Sequence, residues 1–325
     1  RPMKDRPHIL LATDFSPWAA GAEAYACCLA SVWRADLTTM TVLEFPPGMN
    51  PSYDVNRMYL AELMKTATAQ LVDFKARATS RGISVHTRVA TGLPSEEVLA
   101  AAKAEDADLV VVGTKGKSGL EHVLVGSTAE RVFRTAPCPV LVVRAARREK
   151  DEHGSDPCQG VSLDQILVPI DFSDCSLDAL EYAVQVARRS NASIRLLHVL
   201  EPVAYGLDFV LPHVREQEEL RKLVSTRLTE LVKALSGAQV QADVQLHGGI
   251  PADSILEAAQ KMSADLIVMG THGRRGLSHT LSGSVAEAVL RRASCPVLMV
   301  RSPKFAAGHQ RVVPLVALRE TESNI

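Results

Sequence analysis

Short apolar runs alternate with longer segments of mixed polarity along the first half of the chain. Apolar runs of this kind are typical of strands, and apolar positions three and four residues apart in the longer segments predict helices. The predicted strands cover residues 8–14, 37–43, 83–89, 107–112 and 139–143. The predicted helices run from a cap at Ser16, with Pro17 in the first turn, to about Trp33, then over about 57–80, from Pro94, and over about 126–136.

The strands differ in how much of their surface we expect to be buried. The run 107–112 is almost wholly apolar, which is typical of a parallel strand covered on both faces, whereas 83–89 alternates like a half-exposed edge strand. Strands that alternate with helices predict a doubly wound α/β fold with right-handed crossovers. With the strand order 3-2-1-4-5, strands one and four are neighbours whose helices leave on opposite faces, and ligands bind at this switch point. Asp14 and Gly113 end these two strands.

The second half of the chain repeats this pattern 157 residues later, with no insertion or deletion between matching positions. Asp14 matches Asp171, and residues 113–144 are identical to 270–301 at 20 of 32 positions. A repeat this long indicates duplicated domains, because solenoid repeats span only about 20–50 residues. We therefore predict two tandem, doubly wound, parallel five-stranded sheets. The predicted division is a first domain over 1–145, a charged linker over 146–163, a second domain over 164–302 and a C-terminal extension over 303–325.

The repeat also predicts the elements of the second domain. Its strands are expected at 166–171, 194–199, 239–246, 264–269 and 296–300, with Ser173 as the cap of the first helix and a long helix over about 214–235. Residues 302–325 have no counterpart in the first half. We expect them to be partly disordered, with an added strand through Val312 and Val313 as the alternative.

Composition argues against several classes of protein. A formal net charge of −1 disfavours a general nucleic-acid binder, which would carry a basic excess. No apolar run approaches the roughly 20 residues of a membrane span, and no signal-peptide pattern is present, so we expect a soluble, cytoplasmic protein without a membrane partner. The six cysteines form no Cys-x-x-Cys pair. Cys138 and Cys295 are predicted to be buried core residues, and Cys158, in the linker, the most reactive thiol.

Each half carries a glycine motif, defined here as residues 113–127 and 270–284. The motif follows a buried strand and ends where a helix begins. Glycines let the backbone approach a phosphate closely, and the first turn of a helix offers unpaired N–H groups and the positive end of the helix dipole. The motif is not a P-loop, because the first glycine of that pattern would fall on Val111. It also lacks the Gly-x-Gly-x-x-Gly pattern of dinucleotide binding.

Other candidate chemistry is weaker. His122 and His279 recur at matching positions, but lone histidines are more often packing or surface residues than catalysts. His198 matches Thr41, so a shared catalytic role is not expected. No cluster of cysteine, histidine and acidic residues indicates a metal site, and no base is paired with a nucleophile. We therefore predict no catalytic residue and no metal bound by the protein itself.

The pattern of Gly-x-x-Gly, nine further residues and Gly-Ser resembles the universal stress protein family, whose ATP-binding members carry it. The resemblance covers nearly all of 7–144 and 164–301, including Gly-Ser-x-Ala-Glu and Cys-Pro-Val-Leu-x-Val-Arg after the glycines. It implies a Rossmann-like fold that binds an adenine nucleotide, namely ATP with Mg²⁺ carried by the nucleotide. The implied binding residues are Thr13, Asp14, Val42, Gly113, Gly116, Gly126, Ser127 and Thr128 in the first half, and Asp171, Val199, Gly270, Gly273, Gly283, Ser284 and Val285 in the second.

The resemblance also implies a role for each group. The acid after the first strand, Asp14 or Asp171, would bind the ribose, and the backbone at the end of the second strand, at Val42 or Val199, would reach the adenine. The phosphates would lie on the glycines and on the serine at the start of the helix. An acid in this position can also turn the chain locally, and this alternative is kept for Asp14.

The two halves are not equivalent. Ile170 stands where Thr13 stands in the first half, and the loop Lys115-Gly-Lys117-Ser118 becomes His272-Gly-Arg274-Arg275. We therefore expect both halves to bind nucleotide with unequal affinity. The resemblance further implies antiparallel pairing of the fifth strands, Val140–Val143 with Val297–Val300, in an intramolecular pseudo-dimer. Association of whole chains into a homodimer is left open.

The expected function is that of a stress-response sensor or regulator with two nucleotide sites, which is not an enzyme. Its ATP occupancy would alter the binding of an unknown protein partner. Three alternatives stay open. A slow ATPase or a nucleotidyl-transferring enzyme would need a base near Ser127 or Ser284, a nucleotide-independent interaction module would need no ligand, and a third option is a binder of AMP or a cyclic nucleotide.

Overall fold

The computed structural model describes residues 6–44, 53–114, 125–144, 161–201, 210–271, 283–301 and 310–313, with the backbone alone for 210–217. The chain divides into two compact units, unit 1 from Arg1 to Ser162 and unit 2 from Leu163 to Ile325. Both are α/β units built from the same succession of elements. None of the helices in the described part of the chain is long and apolar enough to span a membrane.

Unit 1 alternates strands with helices, as the apolar pattern predicts. Its described elements are β1 (His8–Ala12), α1 (Ala20–Trp33), β2 (Asp36–Leu43), α2 (Asp54–Thr79), β3 (Ser84–Thr91), α3 (Pro94–Ala104), β4 (Leu109–Gly113), α4 (Ser127–Thr135) and β5 (Val140–Val143). All lie within a few residues of their predicted positions. The start of α2 moves to Asp54, and the start of α1 differs more.

The sheet of unit 1 has the order β3-β2-β1-β4-β5, and all neighbouring strands are parallel. This confirms the predicted order 3-2-1-4-5. β1 lies at the centre, where Ile9 is level with Leu37 of β2 and Leu109 of β4, and all three side chains are buried. Right-handed crossovers place α1 and α2 on one face and α3 and α4, which pack against each other, on the opposite face.

Unit 2 repeats this arrangement. Its described elements are β6 (Gln165–Pro169), α5 (Asp174–Ser190), β7 (Ser193–Leu200), α6 (Val210–Gly237), β8 (Ala242–Gly248), α7 (Pro251–Lys261), β9 (Leu266–Gly270), α8 (Ser284–Arg292) and β10 (Val297–Val300). The sheet has the order β8-β7-β6-β9-β10, again with parallel neighbours, which is the same winding as in unit 1. The pairing of the fifth strands of the two units stays a prediction.

The first helices of the two units begin differently. Ser173 caps α5 as predicted, because its Oγ accepts the backbone N–H of Ser176 at 3.3 Å. The matching prediction for Ser16 is wrong, since α1 begins only at Ala20, after a turn in which the Ala19 N–H donates to the Ser16 carbonyl at 2.9 Å. The Ser176 hydroxyl also donates to the Ser173 carbonyl, and Ala19 has no hydroxyl with which to repeat this bond.

The described part of the C-terminal extension, residues 310–313, packs on α5. Val313 is fully buried, and its backbone N–H donates to the carboxylate of Glu181 at 3.0 Å. These four residues are ordered, because an apolar side chain and a buried carboxylate fix them, and the expected partial disorder of the extension stays a prediction. The alternative of an added strand through Val312 and Val313 is wrong, since these two residues form a bend. Residues 302–309 and 314–325 lie outside the described part of the chain.

The thiols of Cys138 and Cys295 are expected to react slowly. Both residues are partly buried, where full burial was predicted. Burial raises the pKa of the Cys138 thiol to about 12 and that of Cys295 to about 11. Because the thiolate is the nucleophile, we expect their reaction with Ellman's reagent at pH 8 to be at least about 100-fold slower in the folded protein than in urea.

Because the fully buried thiol of Cys27 is also expected to react slowly, variants Cys138→Ala and Cys295→Ala identify the phases of these two thiols by removing one phase each. If both thiols react in the folded protein as fast as in urea, the burial of these sulfur atoms is wrong.

Candidate functional site

β1 ends in a tight turn at Asp14. The Ser16 N–H donates to Asp14 Oδ1 at 3.0 Å, and the Phe15 N–H donates to Thr13 Oγ1 at 3.0 Å. Thr13 prolongs the sheet, because its N–H donates to the Met40 carbonyl at 2.9 Å. The local turn considered as the alternative role of Asp14 is therefore present, and it occupies Oδ1 of the carboxylate.

The same turn follows β6 in unit 2. The N–H and the hydroxyl of Ser173 both donate to Asp171 Oδ1, at 3.0 Å and 2.5 Å. The Ile170 N–H donates to the Leu197 carbonyl at 2.8 Å, which matches the bond from Thr13 to β2 in unit 1. Both acids are thus held in the same local geometry, and both are partly exposed.

A phenylalanine with a left-handed backbone follows each acid. Phe15 has a φ of 56° and Phe172 a φ of 63°. A bulky residue in this region is rare, and such strain persists only where the surrounding structure enforces it. The ring of Phe15 lies 6.3 Å from that of Phe74, and the ring of Phe172 lies 5.2 Å from that of His198. The turn that carries each acid is therefore anchored by a packed ring, and the Asp-Phe-Ser sequence shared by both halves is its signal.

The register of the sheet brings the predicted site residues of unit 1 to one edge. Extending the pairing of β1 with β2 beyond Ala12 places Asp14 level with Val42. On the other side of β1, Ala12 is level with Val112, the residue before Gly113. These residues lie at the carboxyl ends of neighbouring parallel strands, at the point where the crossovers diverge.

Unit 2 has the same register. Extending the pairing of β6 with β7 beyond Pro169 places Asp171 level with Val199. β9, which ends at Gly270, is the neighbour of β6 on the other side. An acid, a strand end and the first glycine of the motif therefore lie together in both units.

The two ends of each glycine motif are joined by a backbone hydrogen bond. The Gly126 N–H donates to the Thr114 carbonyl at 2.7 Å, and the Gly283 N–H donates to the Thr271 carbonyl at 2.7 Å. Both threonines are buried. Residues 115–124 and 272–282 lie outside the described part of the chain, and they include the predicted site residues Gly116 and Gly273 and the unequal loop cations.

α4 and α8 begin where the motif closes. Their N-cap residues are Gly126 and Gly283, which have no side chain to bond the first N–H groups of the helix. The predicted site residues of the first turns are exposed or partly exposed, namely Ser127, Thr128, Ser284 and Val285. Amides at a helix start together with a hydroxyl suit an anion such as phosphate.

Gly270 is enclosed by the first helix of unit 2. A Cβ atom added to Gly270 would lie 2.6 Å from Cys175 Sγ and 2.9 Å from both the carbonyl carbon and the carbonyl oxygen of Cys175. The Cys175 thiol and the Thr271 N–H both donate to the Val300 carbonyl, at 3.5 Å and 3.1 Å. The first glycine of this motif is therefore required for the packing of α5 against β9.

Two segments of the chain, residues 6–144 and 162–301, match the profile of the universal stress protein family. A universal stress protein of Mycolicibacterium smegmatis is 30% identical over 303 residues, which cover 90% of this chain and 96% of the relative. The chain belongs to the universal stress protein family. A solved universal stress protein from Archaeoglobus fulgidus shares the fold, with a TM-score of 0.64 at 21% identity over 91% of this chain and 97% of its own.

Beneath the site, the two units of this universal stress protein differ. Thr13 Oγ1 donates to Glu23 Oε1 at 2.6 Å, and Glu23 is buried. Burial raises the pKa of the Glu23 carboxyl, and the bond from Thr13 and the charge of Arg77 oppose this shift. Unit 2 has buried Ile170 and Leu180 at the matching positions. Sequence reasoning found the exchange at position 13 but missed Glu23, whose signal was an acid within an alanine-rich helix.

A second exchange affects the strand that faces the predicted adenine. In unit 1 the Thr41 hydroxyl donates to the Thr13 carbonyl at 2.8 Å. In unit 2 the His198 Nδ1 donates to the Ile170 carbonyl at 2.6 Å. Because His198 is buried and makes the bond that threonine makes in the other unit, its role in this universal stress protein is structural. His122 and His279 lie outside the described residues.

Two crevices among the described residues open at the opposite, amino ends of the strands. One of about 730 Å³ lies beside Gln165, Arg188 and Gln241 in unit 2, and one of about 620 Å³ lies beside Arg34 and Ser84 in unit 1. Neither contacts a predicted site residue, so they are distinct from the switch point. Within the described part of this universal stress protein, no group of three or more acidic, histidine and cysteine residues could hold a metal ion.

Proposed function

We propose that each unit binds one molecule of ATP, with Mg²⁺ carried by the nucleotide, and that the protein is a sensor or regulator with little or no hydrolysis. One observation carries the proposal. In both units the register of the sheet places an acid, a strand end and the first glycine of the motif together at the switch point. Membership of a family that includes ATP-binding members supports the choice of nucleotide.

The donors and acceptors at this edge suit the three parts of an adenine nucleotide. The carboxylate of Asp14 or Asp171 accepts hydrogen bonds from the ribose hydroxyls. The backbone at Val42 or Val199 bonds the adenine. The glycine N-caps leave the amides at the starts of α4 and α8 to the phosphates, with the positive helix end adding a favourable field.

The two sites differ in their supply of hydroxyl groups. Unit 1 has Thr13 and Thr128, whereas unit 2 has Ile170 and Val285. The Thr128 hydroxyl is a potential donor to a phosphate or a sugar, whereas the single hydroxyl proton of Thr13 is donated to Glu23. The exchange of Thr128 for Val285 therefore supports unequal affinities. We propose that both sites bind and that their occupancy alters the binding of a protein partner.

Asp14→Asn and Asp171→Asn are expected to remove one nucleotide site each. Asparagine can still accept the hydrogen bond that forms the local turn, but it loses the charge that strengthens bonds from the ribose hydroxyls. We expect titration calorimetry with Mg-ATP to show two sites in the wild type, and to show one of them weakened at least about tenfold in each variant. Asp73→Asn, on the exposed face of α2, is the matched control and should bind like the wild type.

Two outcomes would contradict the proposal in different ways. Two unchanged sites in the Asp14→Asn/Asp171→Asn double variant would show that the acids do not hold the ribose. Absence of any heat with the wild type, together with no effect of Gly116→Asp and Gly273→Asp on any assay of partner binding, would favour the nucleotide-independent interaction module.

Two further measurements test for hydrolysis and identify the adenine ligand. Phosphate release well above background from the purified protein would favour a slow ATPase, for which the described residues show no base paired with a nucleophile. Competition of AMP and cyclic AMP against labelled ATP, and mass spectrometry of any ligand released on denaturation, would distinguish ATP from AMP and from a cyclic nucleotide.

A further inference from the structure

One face of α5 carries two buried carboxylates. Cys175, Asp178 and Glu181 follow one another at intervals of three residues, so they lie on the same side of the helix. Asp178 is 9% exposed and Glu181 only 1% exposed. Acids are seldom buried this deeply unless a partner compensates the loss of water.

The partner of these carboxylates is a short peptide segment of the same chain. Glu181 Oε2 accepts the backbone N–H groups of Val312 and Val313, at 3.2 Å and 3.0 Å. Asp178 accepts a hydrogen bond from the guanidinium of Arg311. The side chain of Val313 is fully buried. The face thus recognises three features, namely a guanidinium, two successive N–H groups and a small branched apolar side chain.

Unit 1 has no such face. The positions that match Asp178 and Glu181 are Gly21 and Ala24. A Cβ atom added to Gly21 would lie 3.3 Å from Val143 Cγ1 and 3.5 Å from the Arg144 carbonyl oxygen. The chain that leaves β5 therefore covers this position in unit 1, with no room for a carboxylate. The two acids are an addition of unit 2, and neither belongs to the proposed nucleotide site.

We propose that this face of α5 is a peptide-binding surface whose resident ligand is residues 311–313, and that a partner protein presenting an arginine, then any residue but proline, then a small branched apolar residue displaces it. The backbone bonds to Glu181 require an N–H at both positions after the arginine, so proline is excluded there. The carboxylate of Asp178 selects the arginine, and the enclosed site of Val313 selects a small branched side chain.

The small size of the contact explains how a partner segment can displace residues 311–313 from α5. Three residues form a far smaller contact than a stable protein interface needs. A tethered segment nevertheless stays bound, because its effective concentration is on the order of millimolar. A partner segment therefore competes only if it binds additional surface or reaches a comparable local concentration.

A labelled peptide supplied in trans tests this proposal. The probe is fluorescein-Gly-Gly-Gln-Arg-Val-Val-amide, which repeats residues 310–313, and its anisotropy is followed while the full-length protein is added. Val313→Asp puts a charge into the enclosed site and releases the resident segment. We expect this variant to bind the probe at least about tenfold more tightly than the wild type, whose face is occupied. Arg311→Ala, which leaves the core unchanged, is a second released variant.

The controls separate specific docking from nonspecific attraction. Adding Glu181→Gln to either released variant should weaken binding of the probe at least about tenfold. Replacing the first valine of the probe with proline should weaken its binding by a similar factor. Equal binding to the wild type and to both released variants overturns the proposal. So does absence of binding to both released variants, or indifference to Glu181→Gln. The assay contains no nucleotide, so its outcome is independent of the proposed ATP sites.

Discussion

Replacing Gly270 with alanine is expected to lower the free energy of unfolding of unit 2 by about 3 kcal/mol. The added Cβ would meet backbone atoms of Cys175 at 2.9 Å, and these atoms cannot move without shifting the first turn of α5. For a unit of this size the loss corresponds to a fall in midpoint temperature of roughly 6–12 °C. The same shift moves α5 relative to the glycine motif, so we also expect the nucleotide site of unit 2 to be lost.

The two units can be followed separately in this experiment. Both tryptophans, Trp18 and Trp33, lie in unit 1, so their fluorescence reports the unfolding of unit 1, whereas circular dichroism reports both units. Gly270→Ala should therefore change the dichroism transition and leave the fluorescence transition unchanged. A shift of the fluorescence transition by the same amount would show that the two units unfold together.

Two further variants test the cause of this loss. Gly248→Ala is the matched control, because nothing lies within 4 Å of its added Cβ, and it should change stability by less than about 1 kcal/mol. Cys175→Ala combined with Gly270→Ala removes the sulfur contact at 2.6 Å but keeps the two backbone contacts, so only part of the stability should return. Full recovery would contradict the assignment of the clash to the backbone.

Replacing Thr13 with isoleucine, the residue of unit 2, is expected to destabilise unit 1 by about 2–4 kcal/mol at pH 7. The substitution removes the hydroxyl that donates to the buried carboxylate of Glu23 and that accepts the Phe15 N–H. A second substitution, Glu23→Leu, should restore most of the loss, because it removes the buried carboxyl group and installs the apolar pair found at Ile170 and Leu180. Urea unfolding followed by tryptophan fluorescence measures both changes.

The same pair predicts a dependence on pH. Burial raises the pKa of Glu23 above its ordinary value of 4.5, so the folded unit retains this proton to a higher pH than the unfolded chain does. The resulting stability is fully present below pH 4.5 and is lost as the pH rises through the folded pKa. The Thr13→Ile/Glu23→Leu variant has no buried carboxyl group and does not lose stability in this way. Its free energy of unfolding relative to that of the wild type should therefore increase from pH 4 upwards and then level off. A difference in free energy that does not change with pH would contradict a raised pKa of Glu23.

Repetition and strand patterning allowed the fold to be predicted. The apolar runs and the offset between the halves predict a doubly wound parallel sheet in each half, and the order 3-2-1-4-5 is one of the few windings open to such a sheet. The position of the site followed from the same winding, since Asp14 and Gly113 end strands that this order makes neighbours. Local chemistry was less predictable. In the sequence, Ser16 looks like a helix cap as much as Ser173 does. The two differ in the structure because Ser176, three residues after Ser173, has a hydroxyl that Ala19 lacks.

The contacts that sequence reasoning missed join residues far apart in the chain. Glu181 and Val313 are 132 residues apart, and no local pattern links an acid in a helix to a valine beyond the last strand. Phe15 and Phe172 have a left-handed backbone that their residue type disfavours, so propensity points the wrong way there. A buried acid in a helix and a left-handed backbone at phenylalanine are both unfavourable locally. Contacts with distant residues compensate each of them, and these contacts are visible only once the packing is known.

The segment on α5 has a practical consequence for where unit 2 ends. The family match stops at residue 301, yet Val313 is as fully buried as the strands of the sheet. A protein cut at the end of the recognised domain would lose the cover of two acids and would expose them to solvent on an otherwise intact helix. The physical border of this domain therefore lies beyond its evolutionary one, and shortened versions should retain at least residue 313.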